Sequence, residues 1–272
     1  MECEAFLLLV FKRRRKAELY LGQEHPSAAG IGFKNIKERL PIKTVKAGAG
    51  GALKIKMKAG DAAKEFLRTP TLLFTYLGMG FVNFAAVGLV TWLPTYFNRT
   101  YGTPIAQAGL KSASILLLVV IGGPLGGYLC DLWVKKRLNT RLVFAATTTF
   151  ISAVLGFAAF WLFDGNIQYA VLLMMGLITS TFIGAATVTT QEVIHPGLRA
   201  MSAGLSVVAT ALIGGSLAPV VIGAISDAAG LQTAMMVLPA FLVLAAALFF
   251  AGSFFFMKDY NKVEKIQLEM ES

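Results

Sequence analysis

The sequence predicts an all-α polytopic membrane protein with six transmembrane helices, and three observations carry that prediction. The first is a series of six apolar runs at Leu72–Phe97, Ala113–Trp133, Leu142–Phe163, Ile167–Val193, Met201–Ile225 and Ala234–Met257. Each exceeds the ~20 residues a helix needs to cross ~30 Å of hydrocarbon. The second is composition. The 272 residues are 56% hydrophobic with a mean hydropathy of +0.66, above the roughly 45–50% apolar content of soluble domains. The third is the placing of charge. With six spans both chain ends share one side, and of the 25 Lys and Arg all but Arg99 and Lys111 fall on that side. This bias makes that side cytoplasmic. A β-barrel would show alternating segments of ~10 residues, and none is present.

The charge distribution also excludes a function class. A net charge of +10 invites a nucleic-acid partner, but here it reports topology and attraction to anionic lipid heads. The expected surroundings are therefore a lipid bilayer, most simply the plasma (inner) membrane, with no nucleic acid. Cys3 and Cys130 fit no disulfide or metal framework, and His25 and His195 are too sparse to hold a metal. No cofactor is expected. Asn98-Arg99-Thr100 matches a glycosylation sequon but abuts the first span, so a chance match is the simpler reading.

Along the chain, Ala5–Phe11 is apolar and is followed by Lys12-Arg13-Arg14-Arg15-Lys16. A secretory signal has the opposite order. The segment reads either as the cytoplasmic exit of a preceding membrane helix or as an interfacial anchor. Residues 1–60 form a basic, Gly-containing cytoplasmic linker, partly disordered by composition. Asp61 then caps a short amphipathic helix that ends at Thr69-Pro70. The bundle covers residues 61–257, and residues 258–272 form a cytoplasmic tail.

Within the spans, polar groups mark candidate function, because polarity is costly in hydrocarbon. Asn83 is the main polar group of the first span. Ser180, Gly184, Thr187 and Gln191 recur on one face of the fourth span, with Glu192 near its cytoplasmic end. Asn83, Ser180, Thr187, Gln191 and Glu192 are the candidate substrate-cavity residues. Interhelical hydrogen bonding is an equal reading for Asn83 and Gln191, and for Glu192 an interfacial role is preferred to that of a proton carrier. Glycines and prolines mark packing. Gly122/Gly126 and Gly123/Gly127 are small-x-x-x-small pairs that let helices approach closely, and Pro124 and Pro219 kink their spans. Ile121-Gly122-Gly123-Pro124-Leu125-Gly126 recurs as Ile213-Gly214-Gly215-Ser216-Leu217-Ala218, with Asp131 and Asp227 closing the two spans. Second and fifth are equivalent positions in two triplets of helices, and odd-numbered triplets must be inverted, as in secondary transporters.

Gly127-x-Leu129-x-Asp131 followed by Lys135-Lys136 resembles the loop motif of the major facilitator superfamily (MFS), in which Gly-x-Leu-x-Asp precedes an arginine, a glycine and a basic pair. Leu132 and Val134 replace that arginine and glycine, and a degraded copy is usual after the family's eighth span. Trp92-Leu93-Pro94-Thr95-Tyr96-Phe97 is similar to the family's seventh span. Gly215, Pro219, Gly223, Asp227 and Gly230 follow the spacing of its eleventh. The resemblance covers residues 61–257 and is strongest to prokaryotic and Spinster-like members. It implies that the chain is a C-terminal half, two inverted three-helix repeats, and that Gly127, Leu129, Asp131, Lys135 and Lys136 close its cytoplasmic side. It implies secondary transport of a small organic solute by alternating access. One bundle supplies one wall, so an N-terminal half or self-association is needed. The alternatives are a transport-inactive fragment and a membrane scaffold or receptor-like subunit. No phosphate loop, zinc helix or nucleophile elbow points to an enzyme.

Overall fold

In hydrocarbon every backbone N–H and C=O must be satisfied inside the protein, which favours helices over isolated strands. The computed structural model describes Phe66, residues 68–134 and residues 140–271. Helix α1 spans Pro70–Tyr101, α2 Ile105–Val134 and α3 Thr140–Trp161. Helix α4 covers Gly165–Glu192 and is broken at Ser180-Thr181. A 3₁₀ turn at Pro196–Leu198 leads to α5, Arg199–Ala229, and α6 covers Leu231–Glu271. All six are long and apolar enough to cross a membrane, and no strand occurs among the described residues. The protein is an integral multi-pass membrane protein. Residues 1–60, the basic stub Lys12–Lys16 and the expected cap at Asp61 lie outside the described residues.

Helix boundaries follow local chemistry. Pro70 sits at the start of α1, where its missing N–H costs nothing. Gly102 ends that helix at φ 63°, a left-handed conformation suited to glycine, and its N–H donates to the Phe97 carbonyl. Two boundaries depart from expectation. Helix α2 begins at Ile105, earlier than Ala113, because Pro104 starts the turn and accepts from the Ala108 N–H at 3.0 Å. Lys111 is therefore part of a helix rather than a loop. Helix α6 runs past Met257, and Asp259 within it is buried. Its Oδ2 accepts from Thr71 N at 3.1 Å and Thr71 Oγ1 at 2.6 Å, so a carboxylate caps the N-terminus of α1.

Packing obeys an exchange of triplets. Helix α1 packs on α6 and α5, α4 packs on α3 and α2, and α3 and α6 pack on each other. Exchanging α1 with α4, α2 with α5 and α3 with α6 maps this set of neighbours onto itself. The repeated glycines obey the same exchange. Gly122 of α2 is pressed against Leu177 and Ser180 of α4, and Gly214 of α5 is pressed against Asn83 of α1. Their neighbours Gly123 and Gly215 both face open space, with no atom within 4 Å of where a Cβ would stand. The short sequence repeat thus has a repeated geometry.

Candidate functional site

At the basic end of the bundle, Asp131 and Leu129 of the loop motif are exposed, and Lys135 and Lys136 lie outside the described residues. Arg141, the cation that starts α3 close in sequence to Asp131, pairs with Glu192 at the end of α4. The physical reason is antiparallel geometry: α3 begins and α4 ends on the same side. Glu192 is thus held by a cation through Oε1, while its Oε2 is buried with no hydrogen-bond partner among the described residues. A second link ties α1, α4 and α5 at this end. The Tyr76 and Ser202 hydroxyls are 2.6 Å apart, and Ser202 Oγ donates to the Thr190 carbonyl at 3.1 Å.

In the middle, Asn83 works between helices. Its Nδ2 donates to the Thr210 carbonyl at 2.9 Å. The adjoining α5 segment Ala211–Ser216 is a π-helix, and it lies one turn before Pro219, whose ring disfavours an α-helical carbonyl at Gly215. Ser180 is buried at the break in α4, where its Oγ donates to the Leu177 carbonyl at 3.2 Å. That break interrupts the expected stripe from Ser180 to Gln191. Thr187 and Gln191 are half-buried, and the Gln191 carbonyl accepts from Arg199 Nε at 3.1 Å. Gly126 seats on the Thr181 backbone, Gly127 lies close to Gly184, and Gly223 leaves room for the Trp92 ring. A Cβ at Gly123 or Gly127 would meet no atom within 4 Å, although the Gly127 Cα itself would lie 3.4 Å from a Cβ placed on Gly184 of α4.

A small cleft lies elsewhere, between α1, α2 and α4, with a volume of about 60 Å³. Ala85, Leu89, Ile115, Val119 and Met175 line it, and none of the five candidate cavity residues does. Its polar residue, Thr179, donates its hydroxyl to the Met175 carbonyl at 2.7 Å. Toward the end opposite the basic face lies a cluster that the sequence reading missed. Buried Gln168 donates through Nε2 to Tyr96 Oη at 3.0 Å and to the Ala159 carbonyl at 2.9 Å, and its Oε1 accepts from Tyr101 Oη at 2.9 Å. Beside it, Lys111 Nζ lies 5.5 Å from the Phe97 ring centroid and 5.6 Å from that of Tyr169. The Tyr169 and Ser114 hydroxyls are 2.5 Å apart.

The family model described as Major Facilitator Superfamily matches residues 5–219. The chain belongs to the Major Facilitator Superfamily. Among curated members, it is 26% identical to an uncharacterized transporter of Bacillus subtilis, YybO, over 69% of this chain and 44% of that protein. It is 24% identical to an MFS-type efflux pump of Mycolicibacterium smegmatis, over 60% of this chain and 38% of the pump. A hexuronate transporter of Bacillus subtilis is 30% identical over 48% of this chain and 32% of its own length. This MFS chain thus spans less than half the length of the curated relatives it matches. In fold it is similar to a bacterial homologue of the human lysosomal transporter Spinster, with a TM-score of 0.67 at 21% identity, over 79% of this chain and 53% of that one.

For this MFS chain, the missed residues divide by whether sequence held a signal. Gln168 is a polar side chain close to the start of an apolar run, and the cost of unpaired polarity applies to it as much as to Asn83. Lys111 is a charged residue just before the apolar run that starts at Ala113, so hydropathy alone leaves it in the loop. Asp259 had no local signal, since only the tertiary approach of α6 to the start of α1 explains its burial.

Proposed function

We propose that this chain forms one wall of a transporter that moves a small organic solute by alternating access, with its basic end in the cytoplasm. The observation that carries this is the distribution of glycines. Gly78, Gly80 and Gly88 of α1, Gly156 of α3, Gly176 and Gly184 of α4 and Gly252 of α6 are fitted against a neighbouring helix, whereas Gly109 and Gly123 of α2 and Gly204 and Gly215 of α5 have no neighbour within 4 Å of a Cβ position. Small residues in lipid are the means by which helix backbones approach closely. Helices α2 and α5 are also the least buried, at 22% of their most apolar windows against 44–56% for the others. Their open faces are suited to a second six-helix bundle, which fits a chain that spans about half of its relatives. The basic end carries the Arg141–Glu192 pair and the Tyr76–Ser202–Thr190 link. In this reading these contacts brace the cytoplasmic ends of α1, α3, α4 and α5 into one rigid wall, and the motif residues Gly127, Leu129, Asp131, Lys135 and Lys136 close the cytoplasmic side against the second bundle. The candidate residues Asn83, Ser180, Thr187 and Gln191 then set the shape of α1, α4 and α5 around the pathway.

Flux through liposomes tests this reading. The chain is reconstituted with the first six spans of a complete relative supplied separately, and uptake of labelled solutes, glucuronate included, is followed. Saturable uptake by the pair, lost when Gly123 and Gly215 are both changed to Leu in a chain that still folds, is the expected result. Normal assembly without flux of any solute would instead favour a scaffold or receptor-like subunit. Failure to assemble with any second bundle, itself included, would favour a transport-inactive fragment.

A further inference from the structure

We propose that the groove between α1, α2 and α4 binds an amphiphilic carboxylate, with the charged head on Lys111 and the apolar body in the cleft below it. Helical spacing places Lys111, Ile115 and Val119 on one face of α2, each about 6 Å from the next. Ile115 and Val119 line the cleft, so Lys111 stands one turn above it. The other two walls converge in the same way: Phe97 lies on the face of Val90 on α1, and Tyr169 on that of Gly176 on α4, each about two turns from the cleft.

The chemistry of this groove is one-sided at each end. Lys111 is half-buried, and its ammonium is held by two ring faces. A ring face attracts a cation but offers no lone pair, so the N–H donors of the ammonium stay available to an acceptor. No ion pair to Lys111 is found among the described residues, and the Arg141–Glu192 pair lies at the other end of the bundle. Below, the cleft offers a ligand nothing but hydrocarbon, because the Thr179 hydroxyl is already committed to the Met175 carbonyl. A cation without a carboxylate, set over an apolar cleft, selects one negative head joined to an apolar body. At about 60 Å³ the cleft takes only a few carbons, and the rest of such a body follows the exposed margin at Val90 and Leu116.

As a step in transport this rests on the reading above, but the binding itself is tested without flux. The full chain in lipid nanodiscs is titrated with 4-phenylbutyrate and with the neutral 4-phenylbutanol, and empty nanodiscs correct for partition. Saturable binding of the acid, about tenfold or more tighter than the alcohol, is expected for a charge-assisted contact. K111Q should bring the acid down to the level of the alcohol, and K111R should keep most of the affinity. V119F, which fills the cleft and leaves the lysine in place, should also weaken the acid. Equal binding of acid and alcohol, no saturable binding of the acid, or wild-type affinity in K111Q or V119F would overturn the assignment. The contrast between acid and alcohol needs no variant, so a folding failure of K111Q leaves the question decided. Flux of neutral solutes without carboxylate binding would sink this proposal and spare the transport reading. Carboxylate binding without any flux would do the reverse.

Discussion

Two residues show how polar groups are used inside this bundle. Asn83 had two readings from sequence, and its amide is engaged with the Thr210 carbonyl. Interhelical hydrogen bonds in membranes contribute only about 0.6 kcal/mol on average, so Asn83→Ala should lower stability modestly. Gly214→Ala is the harsher change. Its new Cβ would stand 2.7 Å from Asn83 Cβ and 2.8 Å from the Asn83 carbonyl carbon, and overpacking of this kind costs about 1–3 kcal/mol. Asn83→Ala keeps both of those atoms. The double variant should therefore show little rescue in a thermal melt, and full rescue would mean that the amide alone sets the helix separation. Asp259 is the second case. Asp259→Ala leaves the buried Thr71 N–H and hydroxyl without their acceptor, at a cost of about 1–3 kcal/mol. Asp259→Asn keeps a carbonyl oxygen and should lose less. Equal melting of the three proteins would show that the cap contributes nothing to stability.

At the scale of the helix, the sequence made existence and number legible and left shape hidden. Length and hydropathy require six spans, and the repeat Ile121–Gly126 with Ile213–Ala218 pointed to the exchange of triplets that the packing shows. What it concealed was which glycine of each pair does the packing. Gly122 and Gly123 are equivalent in a pattern, but a helix turns 100° between them, and only the tertiary arrangement says which one meets α4. The break at Ser180-Thr181 was equally invisible, because what distinguishes it is the tertiary approach of Gly122 and Gly126 of α2 to Leu177, Ser180 and Thr181. Gly126→Ala and Gly123→Ala separate these cases. The first would place a Cβ 2.6 Å from the Thr181 carbonyl carbon, so α2 must move off α4, at a cost of about 1–3 kcal/mol. The second meets nothing within 4 Å and gains up to about 1 kcal/mol of helix propensity. Opposite shifts in melting temperature are expected for the isolated chain, and matching shifts would mean that α2 is seated differently on the bundle.

For the whole molecule, the question is which outer faces meet lipid and which meet protein, and hydrophobicity alone does not answer it. Leu117 on α2, Val220 on α5 and Phe254 on α6 are 66%, 69% and 70% exposed, and hydrocarbon solvates all three equally well. Side-chain size is what separates the faces. Around Phe254 the surface is built from Phe250 and Phe255, whose bulk keeps another helix at a distance. Along α2 and α5 the outer surface is interrupted by the unpartnered glycines Gly123 and Gly215, over which a backbone can come close. Assembly through α2 and α5 therefore predicts a specific pattern of cross-linking. In a background without Cys3 and Cys130, Leu117→Cys and Val220→Cys should form disulfides with cysteines on a second bundle in the bilayer. Phe254→Cys should stay reduced under the same oxidant. Adding Gly123→Leu and Gly215→Leu should suppress the cross-links without unfolding the chain, because a Cβ at either position meets no atom of this chain within 4 Å. Cross-linking of Phe254→Cys as efficient as that of Leu117→Cys would mean that the bundles meet by random collision, and the glycine faces would then have no part in assembly.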